Sequence, residues 1–146
     1  MELRELCACH IEQIKKRIMD IFSGEPWNDV WTEDRLHQYV RELLGNSNAL
    51  CYGLYEKETL IGISLGRIKH WCEGAEYWID EFGIVPEKQG QGAGTAFLGK
   101  IAGCLAEKGV TGMVLLTERT APAYSFYKRN GFQEHEGMAF LAAKPS

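Results

Sequence analysis

Two neighbouring carboxylates, Asp80 and Glu81, lie in the middle of a stretch whose other residues predict a β-strand, residues 77–85. Aromatic and β-branched side chains surround the pair, and Pro86 ends the run. A carboxyl group among apolar side chains has a raised pKa, which makes it a better general base near neutral pH. Successive side chains of a strand point to opposite faces, so only one of the two is expected to face a site unless a β-bulge turns the other. The alternative is structural: one carboxylate pairs with a basic residue and the other caps backbone groups.

A loop with almost no side-chain bulk follows this strand at residues 89–94, and a helical pattern with one apolar face comes next. Backbone N–H groups in such a loop can approach an anion closely, and the helix dipole places partial positive charge at the same point. The sequence therefore predicts an anion site, with a purely structural tight turn as the alternative. The loop has neither the Gly-Lys-Ser/Thr ending of a P-loop nor the G-x-G-x-x-G spacing of a dinucleotide fold.

Two other patterns are weak candidates for chemistry. Residues 62–66 read G-x-S-x-G, but Ser64 lies inside an extended β-type run and not at the strand-to-helix turn that a hydrolase nucleophile needs. The histidines occur singly, and no pair has the i, i+4 spacing of a helical metal site. The sequence therefore predicts neither a serine nucleophile nor a metal site.

The composition predicts one globular domain over residues 1–146, because 45% of the residues are hydrophobic and 25% are charged. The formal net charge of −4 gives no general attraction to nucleic acid or to an anionic membrane, and it favours a neutral or cationic partner. No signal-peptide core and no run of roughly 20 apolar residues occurs, so the expected location is cytoplasmic. The five cysteines are irregularly spaced without C-x-x-C and are expected to be reduced thiols.

The predicted elements alternate in a way that requires a mixed sheet. Along the chain they are a strand at 1–6, a helix at 8–22, a helix at 32–44, strands at 49–55, 60–71 and 77–85, a helix up to about 109, a strand at 110–117, a helix at 121–130, and one or two strands around Glu136 and Gly137. The strand–helix–strand crossover over 77–117 implies one parallel pair, while the hairpin before it is antiparallel. An α/β sheet with mixed strand directions is therefore expected.

A second cluster lies at residues 121–132, where Tyr124 and Tyr127 share one face of the short helix. Taken alone, such tyrosines more often edge a core than act in catalysis. Together the two clusters match two family motifs, Q/R-x-x-G-x-G/A at Gln89, Gly92 and Gly94, and A-x-x-x-Y-x-x-x-G-F at Ala123, Tyr127, Gly131 and Phe132. With both motifs at this spacing, the sequence resembles the GCN5-related N-acetyltransferase (GNAT) family.

The resemblance implies a single-domain α/β (α+β) fold, the GNAT fold, with a mixed central sheet splayed at its middle and helices on both faces. It also implies acetyl-coenzyme A (acetyl-CoA) as co-substrate, with its pyrophosphate on the glycine loop and its pantetheine arm paired with the backbone of the strand end. The residues implied to contact it are Ile84, Val85, Gln89, Gly90, Gln91, Gly92, Ala93, Gly94, Thr95, Thr120, Ala123 and Tyr127. Thr120 stands where the family often has asparagine.

The implied mechanism is direct transfer of the acetyl group to an amine in a ternary complex, without an acyl-enzyme and without a metal. The expected general base is Glu81, with Asp80 or a relayed water as the alternatives. Tyr127 would protonate the departing thiolate, and a backbone N–H of the splayed strand would hold the oxyanion.

The acceptor is expected to be a primary amine bound in a cleft of aromatic and acidic residues. The candidate contacts are Trp27, Trp31, Trp78 and Glu81, and further candidates are Trp71, Tyr77, Glu25, Asp29, Glu73 and Glu76. Alternatively, the tryptophans only fill the core. A small cationic molecule is favoured because no peptide-binding domain is appended, and the alternatives are a peptide or protein amine and a non-catalytic acyl-CoA binding module. A homodimer is a fold-level expectation.

Overall fold

The computed structural model describes residues 1–145, which form two compact units: Met1–Leu116, and the segment from Thr117 onward. Its elements are β1 (Glu2–Leu6), α1 (Ile11–Phe22), α2 (Glu33–Gly45), β2 (Ala49–Glu56), β3 (Thr59–Trp71), β4 (Gly74–Ile84), α3 (Ala93–Glu107) and β5 (Gly112–Leu115) in the first unit, and α4 (Pro122–Arg129) in the second. Short 3-10 turns precede α1 at Ala8–His10 and follow β4 at Pro86–Lys88. The single domain over 1–146 stays a prediction.

The five strands form one mixed sheet in the order β1-β2-β3-β4-β5. Neighbouring strands from β1 to β4 are antiparallel, whereas β5 is parallel to β4, which confirms the predicted fold class. β5 pairs with residues 76–79 of β4, and residues 80–84 extend beyond that pairing. The pairing of the two parallel strands therefore ends in the middle of β4, as a splayed sheet requires.

Helices cover both faces of the sheet in the first unit. A Cβ atom placed on Gly83 would lie 2.8 Å from Ile21 of α1, whereas one placed on Gly62 would lie 3.2 Å from Phe97 of α3. Gly83 pairs with Ile63, the neighbour of Gly62, so the two glycines face opposite sides. The helix α1, with α2 packed beside it, therefore covers one face, and α3 covers the other.

The first two helices form where the sequence pattern predicts them. Three isoleucines of α1, Ile14, Ile18 and Ile21, recur at helical spacing and are at most 5% exposed. α2 begins after Thr32, whose hydroxyl accepts a hydrogen bond from the backbone N–H of Arg35 at 3.2 Å. The predicted N-cap is therefore confirmed. Among residues 1–145, no helix has both the length and the apolar character needed to cross a membrane.

The strands expected at the C-terminal end are absent from the described residues. Residues 132–145 contain a turn at 136–137, closed by the N–H of Met138 donating to the carbonyl of His135 at 3.1 Å, and no helix or strand. Beyond Phe132, the large apolar side chains of this stretch are exposed, namely Met138, Phe140 and Leu141. Because no apolar face is buried here, strand pairing lacks the packing that stabilises it. The prediction of one or two strands around Glu136 and Gly137 is wrong.

Cys7 and Cys9 form a disulfide, so the expectation of reduced thiols is wrong for this pair. The turn that starts α1 brings their Cα atoms to 5.3 Å, within the usual disulfide range. The imidazole Nδ1 of His10 lies 3.5 Å from each sulfur. Free thiols remain at Cys51, Cys72 and Cys104.

Candidate functional site

A β-bulge lies between β3 and β4 at the two predicted acids. Gly66 pairs with Ile79 and Leu65 pairs with Glu81, so Asp80 is an extra residue on β4. The extra residue shifts the alternation of side chains by one position, which turns Asp80 and Glu81 to the same face. The bulge lies directly after Ile79, the last β4 residue that pairs with β5.

Both carboxylates find partners on the face that α1 and α2 cover. The guanidinium of Arg67 on β3 donates to Asp80 Oδ2 at 2.6 Å. The hydroxyl of Tyr39 on α2 donates to Glu81 Oε1, also at 2.6 Å. The bulge therefore brings both acids into one site but gives them different neighbours: a cation for Asp80 and a neutral phenol for Glu81.

The surroundings of Glu81 suit it to accept a proton. Burial raises the pKa of its carboxyl above the ordinary value of 4.5. The hydrogen bond from Tyr39 acts in the opposite direction, while the nearby carboxylates of Asp29 and Asp80 raise the pKa further. The net shift is upward. A carboxylate with a raised pKa is a stronger base at neutral pH than an exposed one.

Tyr39 joins Glu81 to an aromatic residue that was expected to bind the acceptor. Its ring stacks on Trp31, with 5.2 Å between the centroids and 21° between the planes. Burial and the charge of Glu81 raise the pKa of the Tyr39 hydroxyl, which therefore stays protonated and able to donate. Sequence reasoning missed Tyr39, although its position three residues after Leu36 places it at the edge of the buried face of α2.

The other tryptophans predicted to bind the acceptor lie in different surroundings. Trp27 packs edge-on against Phe22 at 5.8 Å and is 37% exposed. The ring of Trp78 has two cations near its centroid, the guanidinium of Arg67 at 5.9 Å and the ammonium of Lys69 at 5.1 Å. These cations would oppose a cationic acceptor at Trp78. Trp78 also donates from its ring N–H to Glu76 Oε1 at 3.3 Å. Trp31 is the predicted tryptophan that stacks on Tyr39, the residue bound to Glu81.

Tyr77, which was expected in the cleft, is a fully buried core residue, so that expectation is wrong. Its hydroxyl lies 2.9 Å from Ser64 Oγ, and Ser64 is also fully buried within β3. This position confirms that Ser64 is not at a nucleophile elbow. The second glycine of the G-x-S-x-G pattern has a packing reason: a Cβ atom on Gly66 would lie 2.3 Å from the backbone oxygen of Trp78.

The glycine loop turns the chain from β4 into α3. Gly90 and Gly92 have φ angles of +74° and +82°, in the left-handed region that favours glycine, and Gly92 is the N-cap of α3. A Cβ atom at either position would meet no atom of the described chain within 4 Å, so space lies open beside this backbone. The first turn of the helix contains Ala93, Gly94 and Thr95. Its N–H groups have no intrahelical partner and lie at the positive end of the dipole, which fits a bound diphosphate.

Side chains hold this loop to itself and to the end of β4. The amide of Gln89 donates to the carbonyl of Ile84 at 2.8 Å, and the amide of Gln91 donates to the carbonyl of Glu87 at 3.2 Å. These bonds fix the course of the loop and leave its glycine backbone exposed.

At the end of β4, the backbone N–H groups of Ile84 and Val85 point to opposite sides of the strand. The N–H of Val85 donates to the carbonyl of Ile61 on β3 at 2.9 Å, and the carbonyl of Val85 accepts from the N–H of Lys88 at 3.0 Å. By strand alternation, the backbone N–H of Ile84 points away from β3, toward the side on which the pairing with β5 has ended. Of the two residues expected to pair with a bound arm, Ile84 has the suitable orientation.

In the second unit, α4 carries Tyr127 and ends in a Schellman motif. Gly131 has a φ angle of +92°, the N–H of Phe132 donates to the carbonyl of Tyr127 at 3.0 Å, and the N–H of Gly131 donates to the carbonyl of Lys128 at 3.3 Å. The ring of Phe132 packs edge-to-face on Tyr127, with 5.4 Å between centroids. The spacing Y-x-x-x-G-F thus has a local cause: the glycine ends the helix, and the phenylalanine packs on the tyrosine.

The remaining predicted residues of this unit lie at the start of α4. Thr120 is in an exposed turn, and Ala123 is half-buried in the first helical turn. Pro122 occupies the first position of the helix, where no backbone N–H is needed. Arg119 and Glu134 form a bidentate ion pair at 2.7–3.1 Å, which holds the pKa of the Glu134 carboxyl at about 2 and ties the chain before α4 to the chain after it.

Several solved structures share this fold. A possible acetyltransferase from Clostridium difficile 630 has a TM-score of 0.83 at 16% identity, over 99% of this chain and 98% of that one. The aminoglycoside acetyltransferase meta-AAC0020 from an uncultured soil metagenomic sample, in complex with sisomicin, has a TM-score of 0.77 at 14% identity, over 99% and 96% of the two chains. AAC(6')-Iy in complex with the bisubstrate analogue CoA-S-monomethyl-acetylneamine has a TM-score of 0.74 at 16% identity, over 98% and 97%.

These identities are low, so the similar structures establish a shared fold. No curated protein matches the sequence. The model of the acetyltransferase (GNAT) family matches residues 11–132, which includes both the glycine loop and the tyrosine helix. The chain therefore belongs to the acetyltransferase (GNAT) family.

Proposed function

We propose that this protein transfers the acetyl group of acetyl-CoA to a primary amine of a small cationic molecule. The observation that carries the proposal is the pair of carboxylates, Asp80 and Glu81, which share one face at the point where the pairing of β4 with β5 ends. Membership of the acetyltransferase family supports the reaction. Two proteins with the same fold, AAC(6')-Iy and meta-AAC0020, are aminoglycoside acetyltransferases, which supports a small amine as acceptor.

The open space and the free backbone donors of the glycine loop support acetyl-CoA as the co-substrate. Its diphosphate would accept hydrogen bonds from the backbone N–H groups of residues 90–95, where left-handed glycines leave open space. Its pantetheine arm would run beside Ile84 and Val85, with the backbone N–H of Ile84 pointing toward it. Gln89 would hold the loop in place, because its amide is already bound to the carbonyl of Ile84. When bound, acetyl-CoA supplies an activated thioester. Further proposed contacts are Thr120, Ala123 and Tyr127.

The proposed chemistry moves two protons through this chain. Glu81 removes a proton from the ammonium group of the acceptor, because a protonated amine has no lone pair to attack with. The C–N bond forms while the C–S bond breaks, so no acyl-enzyme is needed. The hydroxyl of Tyr127 donates its proton to the departing sulfur. The nitrogen releases its second proton to solvent as it becomes an amide, and Tyr127 is reprotonated from solvent. Asp80 is paired with Arg67, which balances its charge and leaves Glu81 as the base.

The charge around Glu81 favours a cationic acceptor. Asp29 adds a further carboxylate near Glu81, whereas the charge of Asp80 is balanced by Arg67. The ring of Trp31 stacks on Tyr39, which is bound to Glu81. An acceptor amine arrives as a cation and would be attracted to this cluster before it loses its proton. A cytoplasmic location and a homodimer stay predictions.

Calorimetry and a thiol-release assay test the proposed function. Acetyl-CoA is expected to bind with 1:1 stoichiometry, and thiol release is expected to depend on an amine from a panel of diamines, polyamines, aminoglycosides and lysine peptides. Tyr127→Phe should slow release by about tenfold or more, because it removes the proton donor. Tyr55→Phe, which alters a buried tyrosine of β2, is the matched control and should keep the parent rate. Binding without release with any amine would indicate a non-catalytic module, and absence of binding would refute the proposal.

A further inference from the structure

We infer that Tyr39 is a positioning residue for Glu81: its hydroxyl fixes the carboxylate with one oxygen bound and the other turned to the acceptor amine. The inference rests on the proposed function, because it takes Glu81 as the group that removes the proton. No motif of the sequence points to Tyr39, which lies 42 residues before its partner.

Tyr39 is held in place by its own helix and by a stacked ring. Its neighbours on α2, Leu36 and Val40, are 3% and 0% exposed, so the helix cannot rotate without losing core contacts. The ring stacks on Trp31 at 5.2 Å between centroids. The hydroxyl is therefore a fixed donor, whereas a glutamate side chain alone rotates about several bonds.

The hydrogen bond has a chemical consequence for the carboxylate. Among residues 1–145, the Tyr39 hydroxyl is the hydrogen-bond partner of the Glu81 side chain, and it donates to Oε1 at 2.6 Å. Oε2 is then the oxygen left to accept a proton. Tyr39 thus selects one orientation of the carboxylate from those that the side chain can adopt.

Tyr39 is one of several groups that determine the pH at which the Glu81 carboxyl loses its proton. Asp80 is next to it on β4, Arg67 of β3 is paired with Asp80, Asp29 precedes α2, and Tyr39 lies on α2. Burial disfavours the charged carboxylate, the Tyr39 hydrogen bond favours it, and the charges of Asp29 and Asp80 disfavour it. Tyr39 therefore lowers the pH at which Glu81 loses its proton and becomes able to act as a base.

The variant Tyr39→Phe tests this role because it keeps the stacked ring and removes only the donor. The acid limb of the kcat/KM profile against pH is expected to move upward by about one to two pH units, the size of a lost hydrogen bond to a charged group. KM for acetyl-CoA is expected to stay that of the parent. Tyr55→Phe makes the same chemical change on β2 and is expected to leave the profile unchanged.

Glu81→Asp tests the same contact from the other partner. It keeps a carboxylate but withdraws it by one methylene from the Tyr39 hydroxyl, so kcat is expected to fall by about tenfold or more although a base is still present. Adding Tyr39→Phe to Glu81→Asp should then have little further effect, since the hydrogen bond is already lost.

The outcomes separate this inference from the proposed function. A parent that acetylates amines, together with Tyr39→Phe and Glu81→Asp variants that keep its pH profile and kcat, would overturn the positioning role alone. A parent that acetylates no amine would overturn the proposed function and this inference with it. If Tyr39→Phe does not fold, the pH profile of Glu81→Asp decides: an acid limb at the pH of the parent overturns the role, and an acid limb moved upward supports it.

Discussion

Replacing Gly66 by alanine should damage both the stability and the activity of the protein, because Gly66 lies opposite the bulge. A Cβ atom at this position would lie 2.3 Å from the backbone oxygen of Trp78 and 2.8 Å from Tyr77, about 1 Å closer to the oxygen than ordinary van der Waals contact allows. The backbone of β4 cannot retreat as a flexible side chain would, so β3 and β4 must separate at the bulge. Overpacking of this kind costs about 1–3 kcal/mol.

Thermal unfolding and thiol release measure the two effects of Gly66→Ala. For a chain of this size, the melting temperature should fall by about 2–4 °C per kcal/mol. Acetyl transfer should fall as well, because the bulge sets the direction of Asp80 and Glu81. Gly99→Ala is the matched control: it lies in α3 with no described atom within 4 Å of its added Cβ, and it should stabilise the protein by about 0.5–1 kcal/mol. A Gly66→Ala variant as stable and active as the parent would refute the role given to the bulge.

Three further results are expected. Burial raises the pKa of the Glu81 carboxyl above 4.5 in the native state, so the native state binds this proton more tightly than the unfolded state does. The free energy of unfolding therefore declines as the pH rises from the unfolded-state pKa of Glu81 through its native-state pKa. Glu81→Gln should therefore resist urea better than the parent at about pH 8 and equally well at about pH 4. A difference in urea resistance between the two proteins that is the same at both pH values would contradict this. Gly92→Val should weaken acetyl-CoA binding in calorimetry by about tenfold, because its φ of +82° strains other residues, while the exposed Gly103→Val should not. Gly131→Ala should lower kcat by loosening Tyr127, whereas Gly137→Ala should leave kcat unchanged.

Features set by short sequence distances could be predicted from the sequence. The Schellman motif that holds Tyr127 involves residues at most five apart, and the N-cap at Thr32 involves residues three apart. The glycine loop is likewise a local turn that requires left-handed backbone at Gly90 and Gly92. In each case the residue type and the conformation are linked directly.

The arrangement of the two acids depended on contacts that the sequence does not express. The bulge arises where Gly66 of one strand meets Ile79 of the next, so its position is set by strand register. Without it, alternation would place Asp80 and Glu81 on opposite faces. Tyr39 reaches Glu81 only because α2 packs on that face, and its own neighbours in the sequence form no motif.

Two errors came from applying rules outside their range. Irregular cysteine spacing without C-x-x-C argues against a framework of disulfides. It does not exclude a single disulfide such as that of Cys7 and Cys9, which are separated by one residue within a turn. The apolar residues after Gly137 resemble a strand in type, but they are exposed, and residue type alone does not supply a pairing partner.

Proton removal by Glu81 is tested most directly by amine-dependent thiol release from acetyl-CoA in the parent and in Glu81→Gln, with coenzyme binding measured for both. The parent should release thiol only when an acceptor amine is present. Glu81→Gln should bind acetyl-CoA as tightly as the parent and release thiol at least about 100-fold more slowly, the usual contribution of a positioned general base. A Glu81→Gln variant that turns over at the rate of the parent would contradict the assignment.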